Sequence, residues 1–304
     1  MNSNRNTMAV YLGLVTAMAF YGLSFLSTKA VLRELGPIGI LLVRISVSSL
    51  LLSVIHRLGS SSRRASSRIQ REHLKYFVSV AFFQPFLYFM AENLGLNLVS
   101  PAIASIIIGT IPVVTPAVSA PLLGEKLSLL NLAGLGLSLA GVVIITRGGA
   151  NQSVEPAGVL LLFIAVCAAA GYAIAVRKVP AQYDAFTIVR MQNLLGIPMV
   201  LPFFLLFESG TILQLSSNSL LHLGFLSVFP STLSFILLSH GIRRVGAGRA
   251  NAFANLVPVF TAGFSVILLN EPIVARVWIG MAFVITGVSV AQQKRTPRTG
   301  IQEA

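Results

Sequence analysis

Ten long apolar runs, each about as long as a bilayer is thick, constrain this chain more than any other feature of its sequence. A helix needs about 20 apolar residues to cross a hydrocarbon core of about 30 Å. The runs occupy residues 8–27, 37–55, 75–95, 101–123, 129–146, 156–176, 185–207, 220–241, 248–268 and 275–292. Charged residues make up only 10% of the chain, whereas a soluble domain carries about 25%. The sequence therefore predicts an all-α polytopic membrane protein with ten transmembrane helices.

The chain also contains an internal repeat. Shifting the sequence by 146 positions places residues from about 36 to 145 over the second half without a gap. Several matches involve residue types that are uncommon in apolar helices: Arg44 with Arg190, Pro112 with Pro258, Glu125 with Glu271, Gly134 with Gly280, and Gly141 with Gly287. We therefore predict two five-helix units, residues 1–150 and 151–304. Because five is an odd number, the second unit is expected to be inverted in the membrane relative to the first.

The distribution of basic residues predicts the orientation of these units. With the N-terminus inside, the segments predicted to be cytoplasmic hold sixteen Lys and Arg residues, and the outer segments hold four. Cytoplasmic loops of membrane proteins carry such an excess. We therefore expect both termini and the 56–73 loop to be cytoplasmic. The net charge of +13 belongs to these loops rather than to a separate basic domain, so we expect no nucleic-acid partner.

Two stretches of the sequence resemble a known family. One runs from Leu94-Gly95-Leu96 through Pro112 to Leu123-Gly124-Glu125-Lys126-Leu127, and the other from Pro258 to Leu269-Asn270-Glu271-Pro272. Both resemble the EamA-type unit of the drug/metabolite transporter superfamily, and the resemblance covers essentially the whole chain. It implies an exporter or exchanger of small organic metabolites, such as amino acids, in the bacterial inner membrane. It also implies a central cavity formed by helices 1–4 and 6–9.

Polar residues at helical spacing mark candidate positions in such a cavity. Polar faces of membrane helices usually turn toward the bundle interior, because lipid offers them no hydrogen-bond partner. The candidates for substrate binding are Tyr21, Ser24, Gln84, Tyr88, Ser105, Tyr172, Ser231, Ser234, Asn251 and Asn255. Gln84, Tyr88 and Glu92 form one stripe with i, i+4, i+8 spacing. The alternative interpretation is that these side chains only join neighbouring helices by hydrogen bonds.

Pro112 and Pro258 are expected near the middle of their spans. Each lacks a backbone N–H and disturbs the carbonyl group four residues earlier, at Ile108 and Ala254. In lipid, such a carbonyl group is tolerated only where protein or a watery cavity satisfies it. Each proline is therefore either a hinge beside the transport pathway or an ordinary kink.

Charged residues within the spans have two interpretations. Glu92 is the acid that lies clearly inside a span, and intramembrane acids often bind protons or cations. Its role is either such coupling or pairing with a basic residue, namely Lys29, Arg33 or Arg44. Arg44 and Arg190 lie about two turns inside their spans, and we expect their long side chains to reach the headgroup regions.

The alternatives to a transporter are an intramembrane enzyme and a passive channel. The sequence contains no metal-ligand pair of His or Cys and no paired carboxylates in a span, so we predict neither catalysis nor a metal site. Nothing in it is typical of a selectivity loop or a ring of charges. The expected partners are a small-molecule substrate and the lipid bilayer, with no cofactor, and the expected assembly is a monomer or a homodimer.

Overall fold

The computed structural model describes residues 2–58, 69–123, 129–146, 155–180, 182–209, 215–245, 253–269 and 274–292. These residues form ten helices, and within those ranges there is no β-strand. The all-α prediction is therefore confirmed for the described part of the chain. Several residues discussed above lie outside the described residues: Gly124, Glu125, Lys126, Leu127, Asn251, Asn270, Glu271 and Pro272.

The first half of the chain forms five of these helices. Helix α1 is Asn2–Val31 and α2 is Pro37–Leu58. Helix α3 spans Arg71–Leu98, with a π-helical segment, Phe82–Leu87, between the α-helical parts Leu74–Ala81 and Tyr88–Leu98. Helix α4 consists of Pro101–Ile108 and Ile111–Leu123, and α5 is Leu129–Thr146.

The second half forms a similar series. Helix α6 is Pro156–Arg177 and α7 is Ala185–Phe207. Helix α8 consists of Ser217–Val228, a π-helical segment Phe229–Ser234, and Phe235–Val245. Helix α9 begins with a 3-10 turn, Phe253–Asn255, followed by Leu256–Leu269, and α10 is Ala275–Gln292.

Seven of these helices, α1 to α4 and α6 to α8, are long and apolar enough to cross a membrane. The apolar portions described for α5, α9 and α10 are shorter, at 10–17 residues each. The chain is therefore a multi-pass membrane protein. Helix starts follow ordinary capping rules: Asp184 accepts a hydrogen bond from the N–H of Thr187 at 2.8 Å, and the Ser216 hydroxyl accepts one from Ser219 at 3.2 Å.

Helices of the two halves pack against one another in matched pairs. Helix α1 packs against α8 and α9, and α6 packs against α3 and α4. Helix α2 packs against α7, and α5 packs against α10. Each of these contacts therefore has a counterpart in which the two halves are exchanged.

The contact between α5 and α10 is made through glycine. Gly134 lies against the carbonyl oxygen of Gly287, and Gly141 lies against that of Gly280. The residue number rises along α5 as it falls along α10, so the two helices are antiparallel. A Cβ atom at Gly141 would stand 2.6 Å from the Gly280 oxygen, so a side chain there would force the helices apart. Small residues thus allow the two backbones to touch.

Helices α3 and α8 carry their π-helical segments at corresponding places. Within the segment of α3, Gln84 has φ −151° and ψ 121°, which is extended backbone. The predicted stripe of Gln84, Tyr88 and Glu92 assumed a continuous helix and is wrong at Gln84. Only Tyr88 and Glu92 keep the i, i+4 relation, because both lie in the regular part that follows.

Helix α4 is interrupted in the middle. It ends at Ile108 and resumes at Ile111, so Pro112 is the second residue of the new segment. Pro258 occupies the first turn of the regular part of α9. Amide groups in a first helical turn have no partner within the helix, so proline costs little at either place. The chain thus accommodates both prolines by starting a new helical segment.

Candidate functional site

A buried arginine lies at the centre of the polar residues in the bundle. Arg44 of α2 is only 4% exposed. Its Nε donates a hydrogen bond to the hydroxyl of Ser231 in α8 at 3.2 Å, and its guanidinium lies 4.7 Å from the centre of the Phe89 ring. The expectation that Arg44 reaches the headgroups is therefore wrong. Serine and an aromatic face hold it inside the bundle, since both are better partners than lipid.

An acid shares the interior with this arginine. Glu92 of α3 is 8% exposed, and the hydroxyl of Tyr88 donates to its Oε1 at 2.9 Å. Glu92 and Arg44 are within electrostatic range of each other, although they form no direct ion pair among the described residues. Of the three basic residues offered as its partner, Arg44 is the one that acts on Glu92. Lys29 instead donates to backbone carbonyls at the end of α3, including that of Leu96 at 2.8 Å.

A second set of hydrogen bonds joins three helices beside Arg44. The amide of Asn193 in α7 donates to the hydroxyl of Ser48 in α2 at 3.0 Å. Ser48 in turn donates to the backbone carbonyl of Ser231 at 3.2 Å and lies 3.0 Å from the hydroxyl of Thr232. Helices from both halves of the chain therefore build this polar cluster.

Two hydroxyl groups next to the cluster have no protein partner among the described residues. They belong to Tyr21 of α1 and Ser234 of α8, and both oxygen atoms are buried. The Tyr21 ring packs edge to face on Phe235 at 5.9 Å, and Tyr21 is within electrostatic range of Arg44 and Tyr172. Buried polar groups are normally hydrogen-bonded, so such exceptions need an explanation.

Tyr172, Ser24 and Ser105 have partners within the protein. Tyr172 of α6 donates to the side-chain oxygen of Gln192 in α7 at 3.1 Å. The hydroxyls of Ser24 and Ser105 donate to carbonyl groups of their own helices, at 2.7 Å and 2.9 Å. Those two serines therefore resemble ordinary helix serines more than exposed ligands.

The interruption of α4 meets the start of α9. A Cβ atom on Gly109 would lie 3.0 Å from the Cγ of Pro258, so the two segments are in contact. Asn255 is half-buried in the 3-10 turn just before Pro258. Because regular helix begins only at Leu256, Asn255 and Pro258 do not lie on one continuous helical face.

Asn255→Leu is expected to lower transport roughly 5- to 150-fold while leaving the melting temperature unchanged. Leucine has a similar volume but removes a donor and an acceptor, and no described group bonds the Asn255 amide. A solute bonded there would lose about 1–3 kcal/mol. Uptake kinetics and thermal unfolding of one purified sample test this. A loss of thermal stability with normal transport would instead assign the amide to helix packing.

Two acids at one end of the bundle also join the halves. Glu208 at the end of α7 accepts hydrogen bonds from the N–H groups of Ile38 and Gly39, at 3.2 and 2.7 Å. Glu34 accepts from the N–H and the hydroxyl of Ser216, at 2.8 and 2.7 Å, and these bonds lower the pKa of its carboxyl group. The charged carboxylate of Glu34 accepts these bonds. The contact between Glu34 and Ser216 therefore persists at pH values above the ordinary carboxyl pKa, and it weakens as the pH falls through the lowered pKa of Glu34.

Sequence reasoning found part of this cluster and missed the rest. Tyr21, Tyr88, Glu92, Ser231 and Ser234 were predicted. The residues missed are Arg44, Ser48, Gln192, Asn193 and Thr232. The sequence feature that could have pointed to the missed residues is Arg44 itself, since an arginine inside a span is costly and needs partners within the protein. Among the described residues, no three His, Cys, Asp or Glu side chains are placed to hold a metal ion.

Comparison with known proteins identifies the family. The family model of the EamA-like transporters matches residues 8–147 and 156–291. The chain belongs to this family. The resemblance noted in the sequence is therefore confirmed, and relatives of this EamA-family protein are named as transporters.

Relatives match along nearly the whole chain. An uncharacterized transporter of Archaeoglobus fulgidus is 27% identical over 288 residues, which is 95% of this chain and 100% of the relative. The uncharacterized transporter YvbV of Bacillus subtilis is 26% identical, over 92% of this chain and 90% of the relative. A crystal structure with 18% identity matches with a TM-score of 0.63, covering 94% of this chain and 96% of that chain. It shows that the fold is shared.

Proposed function

We propose that this membrane transporter moves a small organic metabolite, such as an amino acid, by alternating access through the bundle interior. The observation that carries this proposal is the polar cluster around Arg44. It combines buried charges with hydroxyl groups that lack partners in the described part of the chain, and it is built by helices of both halves. Intramembrane charges are costly and mark substrate or ion pathways, and transporters with repeats place their sites between the repeats.

We also infer that the two halves are inverted repeats. The 146-residue shift relates α5 to α10, and their contact is antiparallel. The exchange of partners among the other helices supports the same relation. In this arrangement α4 and α9 correspond to each other, and Pro112 and Pro258 are the proposed hinges at their point of contact.

Alternating access is tested by flux measurements on the full chain in proteoliposomes. A screen for resistance to toxic metabolite analogues on overexpression first supplies candidate solutes. A transporter is expected to show saturable uptake and counterflow of such a solute. Non-saturable flux would indicate a channel, and chemical conversion of the solute would indicate an enzyme. Repeating the assay with and without a pH gradient tests whether transport is coupled to protons.

The proposed location is the bacterial inner membrane with both termini in the cytoplasm. Because Cys167 is the single cysteine, Cys167→Ser gives a background for labelling. Ala65→Cys in that background is expected to react with a membrane-impermeant maleimide only after the cells are opened. Gln214→Cys, in the loop predicted to be outside, is the matched control and should react in intact spheroplasts. Labelling of residue 65 from outside would contradict the orientation.

A further inference from the structure

We propose that Arg44 binds a carboxylate group of the transported solute. This inference rests on the proposed transport function and specifies the chemistry of the substrate. In this role Arg44 would select solutes by charge. Its Nε would keep the hydrogen bond to Ser231 of α8.

The guanidinium of Arg44 has unused hydrogen-bonding capacity. Its Nε is committed to Ser231, and Phe89 covers one face. No described residue accepts a hydrogen bond from its two terminal nitrogens, Nη1 and Nη2. The fork formed by these nitrogens matches the two oxygens of a carboxylate, and such paired bonds are among the strongest in proteins.

The neighbouring acid does not occupy this fork. Glu92 receives the Tyr88 hydroxyl and remains beyond ion-pair distance of Arg44 among the described groups. Tyr88 therefore supplies a partner for Glu92 that does not draw on the guanidinium. The Nη groups therefore stay available for a solute.

Two further donors are available in the same part of the bundle, one of them three residues after Ser231. The hydroxyls of Tyr21 and Ser234 are buried without a partner among the described residues, and Tyr21 is within electrostatic range of Arg44. A buried hydroxyl without a partner loses the hydrogen bond that water gives it in the unfolded chain. A carboxylate bound at Arg44 would supply the missing acceptor. The rings of Phe89 and Phe235 would contact the apolar part of the solute.

The test uses solutes that differ only in the carboxylate. The purified full chain is exposed to the L-amino acids and their primary amides, and to lactate, succinate and benzoate with the corresponding amides. Binding is measured by thermal shift and by counterflow in proteoliposomes. We expect each solute to bind more tightly as the acid than as the amide. The affinity of the amide should be about 10- to 150-fold lower, which corresponds to the loss of a hydrogen bond between charged groups.

Variants separate recognition from folding. Arg44→Gln is expected to weaken binding of the acid to the level of its amide. Arg44→Lys keeps the charge without the fork and should give an intermediate loss. Tyr21→Phe removes a hydroxyl without a protein partner, so it should weaken acid binding about 3- to 10-fold at an unchanged melting temperature. Arg190→Gln, which removes the repeat-related arginine, is the control and should keep the preference for the acid.

Several results would overturn the inference. These are amides that bind as tightly as acids, an acid preference that survives in Arg44→Gln, or transport confined to solutes without a carboxylate. Saturable transport of such other solutes would leave the transport function intact. Failure to transport any solute found by the resistance screen would instead contradict the transport function itself.

Discussion

Gly141→Leu is expected to destabilise the bundle by about 3 kcal/mol, because it drives apart the two helices that touch through glycine. An added Cβ atom would lie 2.6 Å from the Gly280 oxygen and 2.9 Å from the Cβ of Phe283. The backbone atoms of Gly280 cannot rotate away as a flexible side chain can. The helices must therefore separate along their whole contact, which also strains the hydrogen bond from Ser138 to the Val284 carbonyl.

The measurement is thermal unfolding of the purified chain in detergent. A shift of about 5 °C is expected if the scaling known for soluble proteins is applied to this chain length. Gly136→Leu is the matched control. It makes the same substitution on the same helix, but nothing lies within 4 Å of a Cβ atom there. Equal melting temperatures for the two variants would show that the glycine contact does not hold the halves together.

The second large effect is expected from separating the two buried charges. Glu92→Leu leaves the positive charge of Arg44 without its neighbouring acid, and breaking a buried pair costs about 3–5 kcal/mol. Because the two groups do not touch, we expect a smaller loss than that, about 2–3 kcal/mol. Arg44→Met added to Glu92→Leu removes the unbalanced charge and should recover part of the loss.

A double-mutant cycle of unfolding free energies measures this coupling, with an expected value of about 1–3 kcal/mol. The control cycle combines Glu92→Leu with Arg190→Met. Arg190 interacts electrostatically with Asp184 rather than with Glu92, so those two effects should add. A coupling near zero in the Arg44 cycle would show that the acid does not stabilise the arginine.

The helices were largely predictable, because lipid imposes a length and a polarity on each span. The predicted spans 156–176 and 275–292 correspond to α6, Pro156–Arg177, and α10, Ala275–Gln292. These ends are marked by prolines and polar loops that are visible in the sequence. The interruption of α4 lies where Pro112 was expected to disturb the helix. The irregular segments of α3 and α8 were not predicted, because apolar composition is the same on both sides of them.

The site was less predictable than the helices. Helical spacing shows which residues share a face of one helix, as for Tyr88 and Glu92, but it fails where the helix is irregular, as at Gln84. It also says nothing about the facing helix. The bond between Arg44 and Ser231 joins positions 187 residues apart. Only the three-dimensional packing shows that the arginine has partners inside the bundle.

The matched packing of the two halves contrasts with the unequal chemistry of the cluster. At a shift of 146 positions, Arg44 corresponds to Arg190, but Glu92 corresponds to Leu238 and Ser48 to Leu194. Two separate, identical five-helix chains would present each of these groups twice around a two-fold axis. An asymmetric solute would then have two equivalent orientations. In the single chain, one half supplies the acid and the arginine, so a solute bound as proposed would be held in one orientation.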